Sequence, residues 1–246
     1  MNSTIKHQLE HRTIRFFEQK PVPEEMIELF IQVIQRTATS NGLQFSSFIR
    51  ITDHNLKQKI AEIAKQSYIA DVPELFIFLA DGYRNTQILK ESGDNRKFNS
   101  MDVLLQGITD ASLSAQNLTN AVESVGMGAV FLGAILNDAQ ALVDLLALPK
   151  LTMPVLGVAF GYINDDPQLK PRMPMKYRFY ENTYRTFDDY HQELADYDQV
   201  MKTYYDTRNR NQCLAAFTDQ VVLKATPVAG RENIASVMKK QGFLLD

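Results

Sequence analysis

An α+β fold with a mixed central sheet flanked by helices is predicted, on three observations. The first is the series Leu104, Ile108, Ala111, Ala115, Leu118, Val122 and Val125, whose alternating four- and three-residue spacing marks a long helix with a narrow apolar seam, ending at Gly126. The second is the continuous apolar run Leu75–Ala80, set between Pro73 and Asp81-Gly82. Its length and aromatic content mark a strand buried on both faces. The third is the interleaving of further helices and short strands without a repeat of fixed period.

In chain order, Pro23 followed by Glu24 and Glu25 opens a helix, with acidic residues at the positive end of its dipole. Ile27, Phe30, Ile31 and Ile34 share one face of it. The helix gives way in the loop formers Thr37-Ala38-Thr39-Ser40-Asn41-Gly42, and Ser47–Ile51 follows as a short strand. Asp53 is placed to cap a helix running to about Lys65. Tyr83–Asn99 is polar and expected to be irregular. The long helix is read as a central core helix in preference to a dimer seam. Gly128–Gly133 is a buried strand, Asp138–Leu148 a helix stopped by Pro149, and Val155–Phe160 a further strand. After Asn164-Asp165-Asp166-Pro167 the chain is irregular through Pro171 and Pro174. From Asp188 onward it is mostly helical, with a break around Thr226–Gly230.

The 246 residues are 45% hydrophobic and 22% charged, enough to bury a full core. A net charge of −3 argues against a non-specific nucleic-acid binder, which needs a clearly positive domain. Cys213 is the only cysteine, which fits a reducing compartment, and it reads as a free structural thiol. The polar start MNSTIKHQLEHR lacks the apolar core of a signal peptide, and no apolar run approaches the roughly 20 residues of a membrane helix. A soluble, cytoplasmic protein is expected, with neither nucleic acid nor membrane as partner.

Several chemistries can be set aside. His7-Gln8-Leu9-Glu10-His11 matches an H-x-x-E-H zinc pattern, but only His54 and His191 remain as further histidines and Arg12 puts a cation beside any Zn²⁺. No metal site is expected, and the segment reads as a short amphipathic helix. Gly126-Met127-Gly128 follows a helix instead of opening one and has Phe131 where the third glycine of a dinucleotide turn belongs. No triad pattern stands out. Two basic clusters remain: His11-Arg12-Thr13-Ile14-Arg15 and Lys170-Pro171-Arg172. A terminal phosphate is a dianion held by forked guanidinium donors, an ammonium and a hydroxyl. The two clusters therefore read either as phosphate ligands or as solvated patches.

His11-Arg12-Thr13-Ile14-Arg15-Phe16 resembles the opening H-R-[ST]-[IV]-R-x-[FY] signature of the nitroreductase superfamily. Its larger NADPH-dependent nitroreductase and flavin reductase branch is resembled by Thr37–Asn41 followed by Leu43-Gln44-x-Ser46-Ser47, by Gln66-x-Tyr68 and by Gly128–Gly133. Leu169-Lys170-Pro171-Arg172-x-Pro174 and Tyr204-Tyr205-x-Thr207-Arg208 extend the match along nearly the whole chain. The resemblance implies one FMN-binding domain over residues 1–246, in an interlocked homodimer, with a mostly helical extension from about residue 176 embracing the partner. It implies that His11, Arg12, Thr13 and Arg15 hold the flavin phosphate and ribityl end, with Lys170 and Arg172 closing on it. Thr39, Ser40 and Asn41 would reach the flavin from the partner subunit. Gln66 and Tyr68 would approach its ring, and Leu132, Gly133 and Ala134 would line the other edge. Arg208 and Arg210 would meet the NADPH 2′-phosphate, with NADH as the other donor; no further cation follows in Gln212-Cys213-Leu214. The family's serine run is Thr39-Ser40-Asn41-Gly42 here, and a second glycine is replaced by Ala134. The activity implied is ping-pong hydride transfer from NAD(P)H through FMN to nitroaromatics, quinones or free flavin, with no catalytic side chain. The alternative is a flavin- or nucleotide-binding module without turnover.

Overall fold

The computed structural model describes residues 2–204, 216–226 and 230–245. They divide into two compact units, Met1–Asp165 with Val228–Asp246, and Asp166–Pro227.

The first unit opens with α1 (Ser3–Leu9), capped by the Asn2 side chain, and α2 (Glu24–Gln35). Ile27, Phe30 and Ile34 of α2 are buried as expected, whereas Ile31, at the edge of that face, is exposed. The strand β1 (Ser46–Arg50) leads to α3 (His54–Ala64), whose N-terminus is capped by Asp53 accepting from the Leu56 N–H at 2.8 Å. β2 (Glu74–Asp81) is buried at all eight positions.

The next element departs from expectation. Tyr83–Glu91 is a helix, α4, where irregular chain was expected. Its buried residues are the polar Asn85 and Thr86, so no apolar period announces it. Thr86 satisfies itself locally: its hydroxyl donates to the Gly82 carbonyl at 2.7 Å and accepts from the Phe98 N–H at 3.0 Å.

The long helix α5 (Met101–Ser124) follows, then β3 (Gly128–Leu132), α6 (Ala139–Leu145), capped by Asp138, and β4 (Thr152–Gly161). Leu104, Ala111, Ala115, Leu118 and Val122 are fully buried, so α5 is the central core helix. Val125, the last member of the expected seam, is its exposed C-cap.

The strand order is β1-β2-β4-β3, with each neighbouring pair antiparallel. The sheet is thus not mixed in its strands. Among the described residues its parallel component is the isolated bridge Thr13–Ala129. A helix between strands suggests a parallel crossover. Here the segment after α3 returns the chain to the end it left, and the Ile51 N–H donates to the Leu75 carbonyl at 2.8 Å.

Side chains of β2 alternate between two cores. Phe76 and Phe78, with Val158 and Phe160 of β4, pack under α2 and α5. Leu75, Ile77 and Leu79, with Val130, Leu132 and Ala159, pack against Ile60, Ala61 and Ala64 of α3. Pro154, which has no N–H to give, sits opposite Leu79 at a register shift.

In the second unit α7 (Tyr190–Glu193), α8 (Ala195–Thr203) and α9 (Phe217–Leu223) gather around Leu194, Tyr197 and Met201. The chain returns to the first unit in α10 (Ile234–Lys240), where Val237 and Phe243 pack against Ala80, Leu104 and Met153. No helix of the described residues is long and apolar enough to cross a membrane.

Candidate functional site

The basic segment His11–Arg15 is a strap laid on the sheet edge. The Ile14 N–H donates to the Ala129 carbonyl at 3.0 Å, and Thr13 bridges the same residue. Ile14 is buried, and a Cβ built on Gly128 would stand 2.5 Å from its Cγ1. Only glycine permits that approach, so Gly128 seats the strap. Farther along, the Glu18 N–H donates to the Tyr162 carbonyl at 2.9 Å and the Asn164 N–H to the Phe16 carbonyl at 3.0 Å. With Ile14 turned inward, its neighbours Thr13 and Arg15 stay partly exposed and Arg12 is exposed. The carboxylate of Asp165 lies against the Arg15 end of the strap and accepts from the Arg15 N–H at 3.4 Å.

His11 is held from α5. Its Nδ1 lies 2.6 Å from Oε1 of Glu123, whose side chain is largely buried. An ionised carboxylate only accepts, so the proton of that bond sits on Nδ1 and Nε2 is the nitrogen left for another partner.

Gln66, Tyr68 and the turn Leu132–Ala134 come together at the end of α3. That helix stops at Lys65 in the left-handed conformation (φ 54°), and the Gln66 N–H returns to the Ala61 carbonyl at 3.0 Å. The Tyr68 hydroxyl donates to Gln66 Oε1 at 3.0 Å, and Tyr68 packs on the cluster that holds Leu132 and Ala134. Asn137 joins the two segments: its amide donates to the Ala64 carbonyl at 3.1 Å while its oxygen accepts from Arg231 Nε at 3.0 Å. Arg231 also donates to the Gly133 carbonyl. Arg231 and Asn137, like Glu123, have no signal in the linear sequence.

Thr39, Ser40 and Asn41 occupy a third place, along α5. Asn117 donates to Val33 O and Thr37 Oγ1, both at 3.1 Å, where the loop begins. The carboxylate of Asp110 takes the Ser40 N–H at 2.9 Å and the Phe45 N–H at 3.0 Å. Asn41 lies in the left-handed region (φ 52°) and its amide reaches Gln106 at 3.4 Å.

Lys170 and Arg172 belong to the second unit and are both exposed. There Arg172 Nη1 lies 3.5 Å from the Lys170 carbonyl, and the Tyr197 hydroxyl is 3.4 Å from the Pro171 carbonyl. Arg208, Arg210 and Cys213 lie outside the described residues.

The nitroreductase family pattern matches residues 9–162, and the nitroreductase family C-terminal domain matches residues 170–246. An oxygen-insensitive NADPH nitroreductase of Salmonella typhimurium is 34% identical over 244 residues, covering 99% of both chains. An NADPH-dependent oxidoreductase of Staphylococcus saprophyticus is 34% identical over 239 residues, covering 95% of each. Among solved structures, nitroreductase A from Vibrio parahaemolyticus superposes with a TM-score of 0.89 at 30% identity, over 99% of this chain and 98% of that one. The NADPH:FMN oxidoreductase from Vibrio harveyi complexed with NAD+ gives 0.89 at 28% identity, over 98% and 99%. With fold, motifs and full-length similarity in agreement, the chain belongs to the nitroreductase family and is an oxidoreductase.

Proposed function

We propose that the protein is an NAD(P)H-dependent enzyme that binds FMN non-covalently in a homodimer and reduces small organic acceptors such as nitroaromatics, quinones or free flavin. The observation that carries this reading is the basic strap, seated on β3 by the Ile14–Gly128 contact and tied to α5 by the His11–Glu123 bond. Relatives named for NADPH, and one for FMN, support it.

The residues fit the cofactor. A terminal phosphate takes charge-assisted bonds from Arg12 and Arg15 and a hydrogen bond from the Thr13 hydroxyl, while His11 Nε2, an acceptor when Nδ1 carries the proton, is assigned to a ribityl hydroxyl. Lys170 and Arg172 are assigned to phosphate on their charge alone. At Gly133 an added Cβ would make only an ordinary contact, with Arg231 Nη2 at 3.8 Å, and the bare backbone of the glycine is assigned to the edge of the flavin ring. Gln66 and Tyr68, beside that turn, are assigned to the ring, and Arg208 and Arg210 to the 2′-phosphate of NADPH.

Bound there, FMN would supply the two-electron hydride chemistry of a ping-pong exchange between the nicotinamide and the acceptor. The chain supplies orientation and electrostatics: the strap fixes one end of the ligand, and the turn and Gln66–Tyr68 fix the other. Thirteen residues of α5, about 20 Å of helix, separate Glu123 from Asp110. The Thr39–Asn41 loop of one chain is therefore assigned to the partner's ligand. The face of α5 away from the core carries Met101, Leu105 and Leu113 at multiples of four residues, all exposed, which supports a dimer formed there.

An absorbance spectrum tests the reading. The purified protein is expected to be yellow, with flavin absorbance that bleaches on anaerobic addition of NADPH and returns on addition of a quinone. A protein that takes up no FMN from solution would overturn it.

A further inference from the structure

The loop from Thr37 to Phe45 is held at Thr37, Ser40, Asn41, Leu43, Gln44 and Phe45, by two helices with separate tasks. α5 takes its N–H groups. Asp110, with no solvent exposure, accepts from Ser40 N through Oδ1 and from Phe45 N through Oδ2. α4 takes its carbonyls: Asn85 Nδ2 donates to Leu43 O at 2.9 Å, and Arg84 donates to Gln44 O. The Phe45 carbonyl accepts from the Asp81 N–H at 2.8 Å at the end of β2. Arg84 is itself aimed by Ser47, whose hydroxyl it meets at 3.1 Å and which donates to Asp81 at 2.6 Å. Gly107, one turn before Asp110, lets the loop lie directly on α5, since a Cβ there would stand 2.7 Å from the Phe45 carbonyl.

The path so held is not one the loop would choose unaided. Asn41, Gly42 and Gln44 all have positive φ, at 52°, 69° and 55°. Side-chain-bearing residues enter that region at a cost, and a chain free to relax leaves it. A buried carboxylate is also expensive unless its oxygens are filled. Both oxygens of Asp110 are filled by this loop, so helix and loop each satisfy the other.

We propose that Asp110 is the positioning residue of the flavin-contacting loop, with α4 as its backing, so that Thr39–Asn41 is preset for the cofactor before any ligand arrives. This rests on the FMN reading above and gives the polar segment after β2 its task. Asp110 does not touch the ligand. It acts through the Ser40 and Phe45 amides.

Asp110→Asn tests it, because the amide turns one acceptor into a donor facing a donor. FMN dissociation constants are measured by equilibrium titration, with visible circular dichroism of the bound flavin as a report on the ring's surroundings. The variant is expected to bind FMN at least tenfold more weakly, with an altered visible spectrum. In the flavin-free variant, amide hydrogen exchange over residues 40–45 is expected to be faster than in wild type. A control, Ile27→Ala on α2, lowers the melting temperature through the core and is expected to leave FMN affinity within twofold. Affinity within twofold in Asp110→Asn, or an equal loss in the control, overturns the proposal. If Asp110→Asn does not fold, Asn85→Ala decides: a loss of threefold or more supports the proposal and an unchanged affinity overturns it. If wild-type protein binds no FMN, the functional reading fails, and this role with it.

Discussion

Arg15 follows Ile14, whose burial against Gly128 fixes the strap backbone independently of the guanidinium. Arg15→Ala therefore removes donors without moving the strap. A charge-assisted hydrogen bond is worth about 1.5–3 kcal/mol, so FMN affinity should fall roughly 10- to 100-fold. Equilibrium titration measures it, and an unchanged dissociation constant removes Arg15 from the phosphate. Lys57 is the contrasting case of a cation with a structural task. It is buried, and its ammonium donates to the carbonyls of Val72 and Pro73, both at 2.8 Å. Burial pushes its pKa below the ordinary 10.5. Between that lowered value and 10.5 the unfolded chain binds more protons than the folded one, so this group makes stability rise with pH across that window. Lys57→Met should leave two carbonyls without donors, cost about 1–3 kcal/mol at neutral pH, and abolish that rise. Urea unfolding from pH 7 to 10 gives both quantities; the same slope in wild type and variant would show that another group titrates.

Elements with an apolar period were legible in the sequence, because burial wrote the period. α2 and α5 fall where their spacing places them, β2 where its continuous apolar run lies, and α3 behind its Asp53 cap. α4 was not, since the side chains it buries are Asn85 and Thr86, chosen for hydrogen bonds and silent in any hydrophobic pattern. Strand direction was not legible either, because a helical connection looks alike whether the chain crosses the sheet or turns back. The same division runs through the site. His11, Arg12, Thr13 and Arg15 are neighbours in sequence, so their shared chemistry can be read directly. Glu123, which orients His11, stands 112 residues away, and Arg231 stands 98 residues from the Gly133 carbonyl it holds. Asp110 leaves only a faint trace, a carboxylate between Gly107 and Ser114 on the buried side of α5, three and four residues from each. A charge at helical spacing among buried positions marks a partner but not its identity, which only the fold supplies.

For the whole molecule the decisive question is whether one chain is a complete binding unit. His11 and the strap attach near the C-terminal end of α5, while Ser40 and its loop attach through Asp110 in the first half of that helix. If both serve flavin, a two-fold dimer across α5 lets the loop of one chain complete the site of the other, with the same patch used by both subunits. Met101, Leu105 and Leu113 are the residues such an interface would cover, being 41, 50 and 46% exposed. They project from the side of α5 opposite the core, so changing them leaves Leu104, Ala111 and Leu118 packed as before. Leu105→Glu combined with Leu113→Glu places four like charges across the two-fold contact. The prediction is a folded monomer by light scattering, with wild-type far-ultraviolet circular dichroism and FMN affinity reduced at least 100-fold. The size of that loss reflects removal of every contact from the second chain, whereas Arg15→Ala removes one. A monomer that keeps wild-type FMN affinity would show that each chain binds its flavin alone, and the Thr39–Asn41 loop would then have to be reassigned within its own subunit.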